Sequence, residues 1–254
     1  MRTILQDIYD KQIRGQKSLA ILIDPDSSKL NRLEHTLKIC RKHPVDYFFV
    51  GGSLLKEDQL DHCIQRIRAN SQIPIILFPG SIYQLHPEAN ALLYLSLLSG
   101  RNPEYLIGKQ VEAAMKIASY SIEVISTAYL LIDGGSPNAA AYLSQTQPLP
   151  RNKTELVLAT AMAAQLLNFH WIYLEAGSGA LSPVPLETIR CLKNNIRLPI
   201  LTGGGIRSAE QLGECYQAGA DLVVVGTAAE ERPEVLEEMV VTLREFNLKS
   251  ADLT

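Results

Sequence analysis

The sequence is poor in cysteine and has no excess of basic residues, and each shortage excludes a class of protein. Its four cysteines lie far apart in 254 residues and form no Cys-x-x-Cys pair, which excludes a disulfide scaffold and argues against a zinc cluster. With 24 basic against 27 acidic side chains, the net charge of −3 offers no basic surface, so no nucleic-acid partner is expected. We expect a globular protein with reduced thiols.

The sequence also lacks a long apolar targeting or membrane-spanning run. Its first residues are charged and amphipathic, without the apolar core of a signal peptide, so a cytoplasmic location is expected. The stretch Leu156–Leu174 carries no charge, but it contains Gln165, Asn168 and His170 and changes midway from helix-favouring to strand-like residues. A buried helix followed by a buried strand explains this stretch better than a membrane span.

What the sequence does contain is a series of short apolar runs separated by helical patterns. Nearly continuous apolarity is typical of parallel strands that are buried on both faces. The eight runs are Leu19–Ile23, Tyr47–Val50, Ile75–Phe78, Leu92–Leu97, Ala128–Ile132, Trp171–Leu174, Pro199–Leu201 and Leu222–Val225.

Eight strands alternating with helices in about 250 residues predict a TIM (β/α)8 barrel, with residues 1–254 as a single domain. The alternative, a doubly wound open sheet, usually has fewer strands and a glycine-rich turn after the first strand. Here the first strand ends in Asp24-Pro25-Asp26. The segment 81–90 contains Tyr83, His86 and Pro87 and is too short for a standard helix, so the predicted barrel has lost the helix after strand three.

Three consecutive strand ends are rich in glycine, and strand ends surround the active-site mouth of a barrel. They are Glu175–Gly179, Gly203–Gly205 and Gly226-Thr227. Glycine lets backbone N–H groups approach an anion, and the dipole of a helix beginning near Ser208 adds a favourable field. One such turn alone would indicate only a tight connection, but three together favour a phosphate site.

Polar side chains at other strand ends suggest a metal site. Asp24 and Ser53 end adjacent strands, where a carboxylate and a hydroxyl would suit Mg²⁺ that takes its remaining ligands from phosphates and water. Asp24 fits an N-cap or Asx turn about equally well because Pro25 follows it, and Asp26 is better explained as a cap.

Glu175 is the one acidic residue in the segment 171–180. A carboxylate at a dry strand end should have a raised pKa and could act as a general base. The alternative is a buried ion pair with a neighbouring lysine or arginine. Lys56 and Arg207 could neutralise a phosphate, although solvated faces are the commoner place for such residues. The five histidines show no metal-ligand spacing; they are His35, His43, His62, His86 and His170.

Taken in chain order, the strand-end motifs resemble those of geranylgeranylglyceryl phosphate synthases, a family that includes the bacterial heptaprenylglyceryl phosphate synthases. The resemblance runs from about Leu19 to about Glu230. Its motifs are Leu22-Ile23-Asp24-Pro25-Asp26, Val50-Gly51-Gly52-Ser53, Leu77-Phe78-Pro79-Gly80-Ser81, Ser99-Gly100-Arg101-Asn102-Pro103, Tyr173-Leu174-Glu175-Ala176-Gly177-Ser178-Gly179-Ala180, Thr202-Gly203-Gly204-Gly205-Ile206-Arg207 and Val225-Gly226-Thr227.

The resemblance implies a Mg²⁺-dependent prenyltransferase that alkylates the primary hydroxyl of sn-glycerol 1-phosphate with geranylgeranyl diphosphate and releases diphosphate. By the same resemblance, Asp24 and Ser53 would hold Mg²⁺, and Glu175 would take the hydroxyl proton. The residues implied in binding glycerol phosphate are Tyr173, Leu174, Glu175, Ala176, Gly177, Ser178, Gly179, Gly203, Gly204, Gly205, Gly226 and Thr227.

The sequence departs from the family pattern at two positions. Ser27 stands where many relatives have lysine, and Ser53 replaces a threonine but keeps the hydroxyl. Tyr105 stands where one branch often carries an aromatic interface residue, which implies a homo-oligomer, a dimer or a hexamer; the alternative is that Tyr105 packs within its own chain.

Two other functions stay open at this point. A barrel isomerase or lyase acting on a sugar or glycerol phosphate would share the last two turns without needing a metal at Asp24 and Ser53. A phosphate-binding barrel without catalysis is the third class. The prenyl donor would need an apolar groove, which we expect where the helix after strand three is missing, and such a lipid donor implies transient contact with a membrane.

Overall fold

Eight parallel strands close into a barrel in the computed structural model, which describes residues 3–26, 30–55 and 59–251. Each strand pairs with the next along the chain, and the eighth pairs with the first. The predicted TIM barrel is therefore confirmed. The strands are β1 (Ser18–Ile23), β2 (Tyr47–Val50), β3 (Ile75–Leu77), β4 (Ala91–Leu97), β5 (Glu123–Leu131), β6 (Trp171–Glu175), β7 (Ile200–Gly203) and β8 (Leu222–Val225).

Helices connect every pair of consecutive strands except one. Residues 78–90, all of which are described, form turns between β3 and β4, and this confirms the predicted loss of that helix. The helices are α1 (Ile4–Ile13), α2 (Leu30–Lys42), α3 (Leu60–Asn70), a π-helical turn (Glu104–Gly108), α4 (Lys109–Ala118), α5 (Ala139–Ser144), α6 (Thr154–Leu166), α7 (Leu186–Asn195), α8 (Ala209–Ala218), α9 (Thr227–Glu231) and α10 (Pro233–Ala251).

Strand β5 begins five residues before the predicted Ala128, at Glu123. Its first residues are partly polar, so they do not form the apolar run from which a buried strand is recognised. The Glu123 carboxylate accepts hydrogen bonds from the backbone N–H groups of Ile4 and Leu5, at 2.7 and 2.9 Å. These bonds satisfy N–H groups at the start of α1, whose Ile4 and Ile8 pack into the barrel interior. Helix α1 thus closes the end of the barrel opposite the strand carboxyl ends.

Successive side chains along each strand point alternately into the barrel and out towards the helices, which divides the core into an inner and an outer layer. Tyr173 of β6 packs inside the barrel with Phe49 and Trp171, whereas Leu174 packs outside against the helices. The four cysteines are free and lie in helices. Burial raises the pKa of three of their thiols, those of Cys40, Cys63 and Cys215, to about 12.

Two residues singled out in the sequence, Ser27 and Lys56, lie outside the described residues. Within the described ranges, no helix has both the length and the apolar character that crossing a membrane requires.

Candidate active site

A cavity of about 750 Å³ opens at the carboxyl ends of the strands. It brings together most of the residues singled out in the sequence, namely Asp24, Ser53, Tyr173, Glu175, Gly177, Ser178, Gly179, Gly204, Gly205, Gly226 and Thr227. Three others do not line it. Leu174 and Ala176 belong to the outer core layer, and Gly203 lies behind the Tyr173 hydroxyl and the Glu175 carboxylate.

Glu175 is the last residue of β6 and is only 7% exposed. Its Oε1 accepts a hydrogen bond of 2.7 Å from the backbone N–H of Gly177. Burial raises the pKa of the carboxyl to about 7, while the Gly177 hydrogen bond acts in the opposite direction. Within the described part of the chain no lysine or arginine pairs with it, so the ion pair that the sequence left open is not formed there.

The backbone of Gly204 lies against the Glu175 carboxylate, where a larger residue would not fit. Its φ is +80°, a conformation that favours glycine, and a Cβ there would lie 2.4 Å from Glu175 Oε1 and 2.6 Å from the Gly177 nitrogen. The turn after β7 therefore packs directly against the hydrogen bond between Gly177 and the Glu175 carboxylate. This close approach gives the second glycine of the Gly-Gly-Gly turn a steric reason to be glycine.

Three aromatic rings line the cavity beside Glu175. The ring centroids of Phe78, Tyr129 and Tyr173 lie 5.3 to 5.8 Å apart. The Tyr173 hydroxyl is buried beside the Glu175 carboxylate, although the two do not form a hydrogen bond of good geometry. Burial raises the pKa of Tyr129 and Tyr173 well above the usual value, with the Glu175 charge acting in the same direction. Both phenols therefore stay protonated and remain potential hydrogen-bond donors.

On the other side of the cavity, Asp24 and Ser53 follow strands that pair in register at Ile23 and Val50. The turn after β2 lies close to the Asp24 carboxylate, since a Cβ on Gly52 would lie 3.0 Å from Asp24 Oδ1. Among the described residues no group of three or more His, Cys, Asp or Glu side chains is placed to hold a metal. A carboxylate with one hydroxyl nevertheless fits Mg²⁺, which commonly keeps waters and takes substrate phosphate oxygens as ligands.

Two arginines connect the glycine-rich turns and line the cavity. The Arg207 guanidinium donates to the Ala180 carbonyl at 2.8 Å, and the Arg232 guanidinium donates to the Arg207 carbonyl at 2.9 Å. Sequence reasoning weighed Arg207 but missed Arg232. No motif marks Arg232, because it lies between α9 and α10 and only the closed fold brings it to the site.

The part of the cavity lining that comes from the π-helical turn, α4 and the connection after β3 is mostly apolar, and we call it the apolar arm. Tyr105, Gln110, Ala113 and Ile117 line it, together with Ile82 and Leu85 of the helix-free connection after β3. The Tyr94 hydroxyl donates to the Gln110 carbonyl at 2.7 Å, and the Gln110 amide donates to the Leu95 carbonyl, which fixes the helix to β4. Tyr105 donates its hydroxyl to the Leu143 carbonyl at 3.2 Å within its own chain.

Residues 11–245 match the PcrB family. The chain belongs to this family. A geranylgeranylglyceryl phosphate synthase of Flavobacterium johnsoniae is 46% identical over 230 residues, which cover 91% of this chain and 95% of the relative. The synthase of the same name from Chitinophaga pinensis is 42% identical over 236 residues, covering 93% and 94%.

A solved structure agrees with the PcrB assignment. The crystal structure of (S)-3-O-geranylgeranylglyceryl phosphate synthase from Thermoplasma acidophilum, in complex with its substrate sn-glycerol-1-phosphate, matches with a TM-score of 0.90. It is 34% identical, and the match covers 96% of this chain and 100% of that one. The family resemblance seen in the sequence and the expectation of a prenyltransferase are confirmed.

Proposed function

We propose that this prenyltransferase joins the geranylgeranyl group of geranylgeranyl diphosphate to the primary hydroxyl of sn-glycerol 1-phosphate in a Mg²⁺-dependent reaction. The observation that carries the proposal is the position of one buried carboxylate, Glu175, in a cavity with three other features. They are the glycine-rich wall formed by the turns after β6, β7 and β8, the pair Asp24 and Ser53, and the apolar arm. The relatives named as geranylgeranylglyceryl phosphate synthases, and the one solved with sn-glycerol-1-phosphate, support this choice of substrates.

The glycine-rich wall suits the phosphate of sn-glycerol 1-phosphate. Backbone N–H groups of the turns at Ser178-Gly179, Gly204-Gly205 and Gly226-Thr227 can donate to a phosphate, and Arg207 and Arg232 add positive charge at the same wall. The buried Tyr173 hydroxyl can donate to a glycerol oxygen. These contacts would direct the free primary hydroxyl towards Glu175.

Glu175 acts on the nucleophile. Because the Gly177 N–H occupies Oε1, we assign Oε2 as the oxygen that takes the hydroxyl proton. The glycerol oxygen then forms the new C–O bond with the first carbon of the prenyl chain, and the electron pair of the old C–O bond leaves with diphosphate. Loss of the proton to a carboxylate with a pKa near 7 makes the oxygen more nucleophilic at neutral pH.

Asp24 and Ser53 would hold Mg²⁺ on the diphosphate side. When bound, the metal supplies positive charge that offsets the charge developing on the leaving diphosphate. The apolar arm between α4 and the connection after β3 takes the prenyl chain and excludes water, which would otherwise hydrolyse an allylic cation. The cytoplasmic location and the transient membrane contact expected from a lipid donor belong to the same proposal.

The two other functions have less support from the site. An isomerase or lyase of a small phosphate would use the glycine turns, but it would leave the Asp24–Ser53 corner and the long apolar arm without a role. A barrel that only binds phosphate would have no use for a buried carboxylate with a raised pKa.

The test is Glu175→Gln, which keeps the side-chain shape and the acceptor for the Gly177 N–H. We expect product formation from both substrates to fall about 10²- to 10⁴-fold, while calorimetric binding of sn-glycerol 1-phosphate changes little. Glu187→Gln, which removes an exposed carboxylate on α7, is the matched control and should leave the rate unchanged. A Glu175→Gln rate close to that of the original protein would reject the base assignment.

A further inference from the structure

One polar side chain, that of Gln84, is buried in the helix-free connection between β3 and β4. It is only 4% exposed, although the neighbouring Tyr83 is 75% exposed. Buried side-chain amides are normally hydrogen-bonded, and an amide can both donate and accept. The partners of the Gln84 amide therefore indicate what this side chain does in the connection.

The Gln84 amide joins the turn after β2 to the turn after β3. Its Oε1 accepts hydrogen bonds from the backbone N–H groups of Gly52 and Gly80, at 3.1 and 3.2 Å. Its Nε2 donates to the Gly52 carbonyl at 2.8 Å. One side chain thus binds both backbone polar groups of Gly52, as a neighbouring strand would do in a sheet.

The two turns also pack backbone against backbone. A Cβ on Gly80 would overlap the Gly52 carbonyl oxygen and lie 2.8 Å from the Ser53 Cα, and a Cβ on Gly51 would overlap the Phe78 carbonyl oxygen. Because no side chain separates the turns at these points, their spacing is set by direct backbone contact and by the Gln84 amide.

Gly52 lies between this amide and the pair Asp24 and Ser53. A Cβ on Gly52 would lie 3.0 Å from Asp24 Oδ1, and Ser53 follows Gly52 directly in the chain. A shift of Gly52 would therefore change the spacing between the Asp24 carboxylate and the Ser53 hydroxyl. Mg²⁺ demands nearly ideal octahedral geometry, so two oxygens can serve it together only at a closely fixed spacing.

The same short segment contributes to the apolar arm. Ile82, two residues before Gln84, and Leu85, directly after it, both line the cavity there. The Gln84 backbone N–H donates to the Ser81 carbonyl at 3.1 Å, which keeps the segment in a turn. Gln84 therefore links the lining of the apolar arm to the turn that carries Ser53.

The connection that carries Gln84 is itself fixed to α3. His86 Nε2 lies 3.0 Å from an Asp61 carboxylate oxygen, and the Arg68 guanidinium donates to the Glu88 carbonyl at 2.7 Å. A side chain can hold a site in position only if its own backbone is held. These contacts with α3 give Gln84 that support.

We propose that Gln84 is a positioning residue for the prenyl donor. It holds the turn that carries Ser53 against Asp24, beside the arm that takes the prenyl chain. This inference rests on the proposed function, in which Asp24 and Ser53 lie on the diphosphate side. The three hydrogen bonds of the Gln84 side chain go to the turns after β2 and β3, whereas the glycine-rich wall follows β6, β7 and β8. Loss of the amide should therefore weaken binding of the metal and the donor but not of sn-glycerol 1-phosphate.

The test is calorimetric binding to the full chain and to Gln84→Met, with pyrophosphate in the presence of Mg²⁺ as one ligand and sn-glycerol 1-phosphate as the other. Methionine is close to glutamine in length, but it cannot make the three hydrogen bonds of the amide. We expect the affinity for pyrophosphate to fall about tenfold, because Gly52 and Gly80 lose buried partners. The affinity for sn-glycerol 1-phosphate should stay the same.

Steady-state kinetics provide the second measurement. In Gln84→Met, KM for Mg²⁺ and KM for geranylgeranyl diphosphate should each rise about tenfold, while KM for sn-glycerol 1-phosphate stays the same. Gln84→Asn keeps the amide but is one methylene shorter, so it cannot bridge both turns and should give a smaller loss in the same direction. Circular dichroism checks that both variants fold, and Gln84→Asn decides the question if Gln84→Met does not.

Gln165→Met is the matched control. The Gln165 amide also joins two elements, since it accepts the backbone N–H of Arg197 at 2.7 Å. Arg197 precedes the amino end of β7, whereas the cavity lies at the carboxyl ends of the strands. Gln165→Met should therefore leave both affinities and all three KM values unchanged.

Two results would overturn the inference while the proposed function stands. They are an unchanged affinity for pyrophosphate in the Gln84 variants, and an equal loss of affinity for pyrophosphate and sn-glycerol 1-phosphate, which would show a general structural role. An original protein that forms no ether product from any prenyl donor would instead reject the proposed function, and this inference with it.

Discussion

Among single residues, Glu175 connects burial to chemistry most directly. Burial at the end of β6 raises its pKa to about 7, which places its titration inside the physiological range. A general base must be ionised, and a raised pKa means that the carboxyl is protonated below about pH 7. We therefore expect kcat/KM for sn-glycerol 1-phosphate to rise tenfold per pH unit below pH 7 and to level off above it. A profile measured from pH 5.5 to 8.5 checks this, and a flat one would contradict it.

Two glycines of the glycine-rich wall have similar backbone conformations but different surroundings, so their alanine variants can be compared. Gly204 and Gly179 have φ of +80° and +72°, but a Cβ on Gly204 would meet Glu175 and Gly177, whereas a Cβ on Gly179 would meet nothing within 4 Å. Gly179→Ala should cost only the backbone strain, about 1–3 kcal/mol of unfolding free energy. Gly204→Ala should cost more and should also lower kcat, because it displaces the base.

Thermal unfolding and steady-state kinetics of the two variants measure these effects. Equal losses of stability and activity in Gly204→Ala and Gly179→Ala would show that the close approach to Glu175 has no consequence for catalysis.

At the scale of elements, the strands and helix ends predicted correctly are those whose residues and immediate neighbours in sequence determine the structure. The run at Tyr47–Val50 and the one at Leu222–Val225 match strands to the residue, since both faces of a barrel strand are buried. Ser208 caps α8 through Gln211 and Gly219 ends it at φ +113°, as local capping patterns indicate.

Elements that depend on distant contacts could not be predicted in this way. The early start of β5 depends on Glu123 binding the N-terminus of α1, more than a hundred residues away in sequence. The π-helical turn Glu104–Gly108 has no local signature; Tyr94, Gln110 and the Ser96 hydroxyl, which donates to Leu106, hold it and α4 against β4. The same dependence on the closed fold explains why Arg232 was missed.

The apolar arm leads to a prediction about donor length. Tyr105 and Ile117 both line it, and twelve residues of helix span about 18 Å. Ala113 lies between them, so Ala113→Phe should obstruct the arm. We expect KM for geranylgeranyl diphosphate to rise about tenfold and KM for the shorter geranyl diphosphate to change little. Ala114→Phe, at an exposed neighbouring position of the same helix, is the control; an equal response to both donors would contradict the assignment of the arm.

At the scale of the whole molecule, closure of the barrel brings the ends of the first two strands and of the last three strands to one cavity. The first two strands end in Asp24 and Ser53, and the last three end in Glu175 and the glycine-rich turns. The aromatic rings of Phe78, Tyr129 and Tyr173 line the same cavity beside Glu175. In the proposed function, a diphosphate and a glycerol phosphate would meet at one point of this cavity while the prenyl chain lies along α4.

The measurement that tests this account most directly is product formation from geranylgeranyl diphosphate with Mg²⁺, with sn-glycerol 1-phosphate and sn-glycerol 3-phosphate supplied in parallel and products identified by mass spectrometry. We expect an ether product from sn-glycerol 1-phosphate alone, lost when EDTA removes the metal and restored by added Mg²⁺. Absence of an ether product with geranylgeranyl diphosphate and with shorter and longer prenyl donors, or equal product from both glycerol phosphates, would contradict the account.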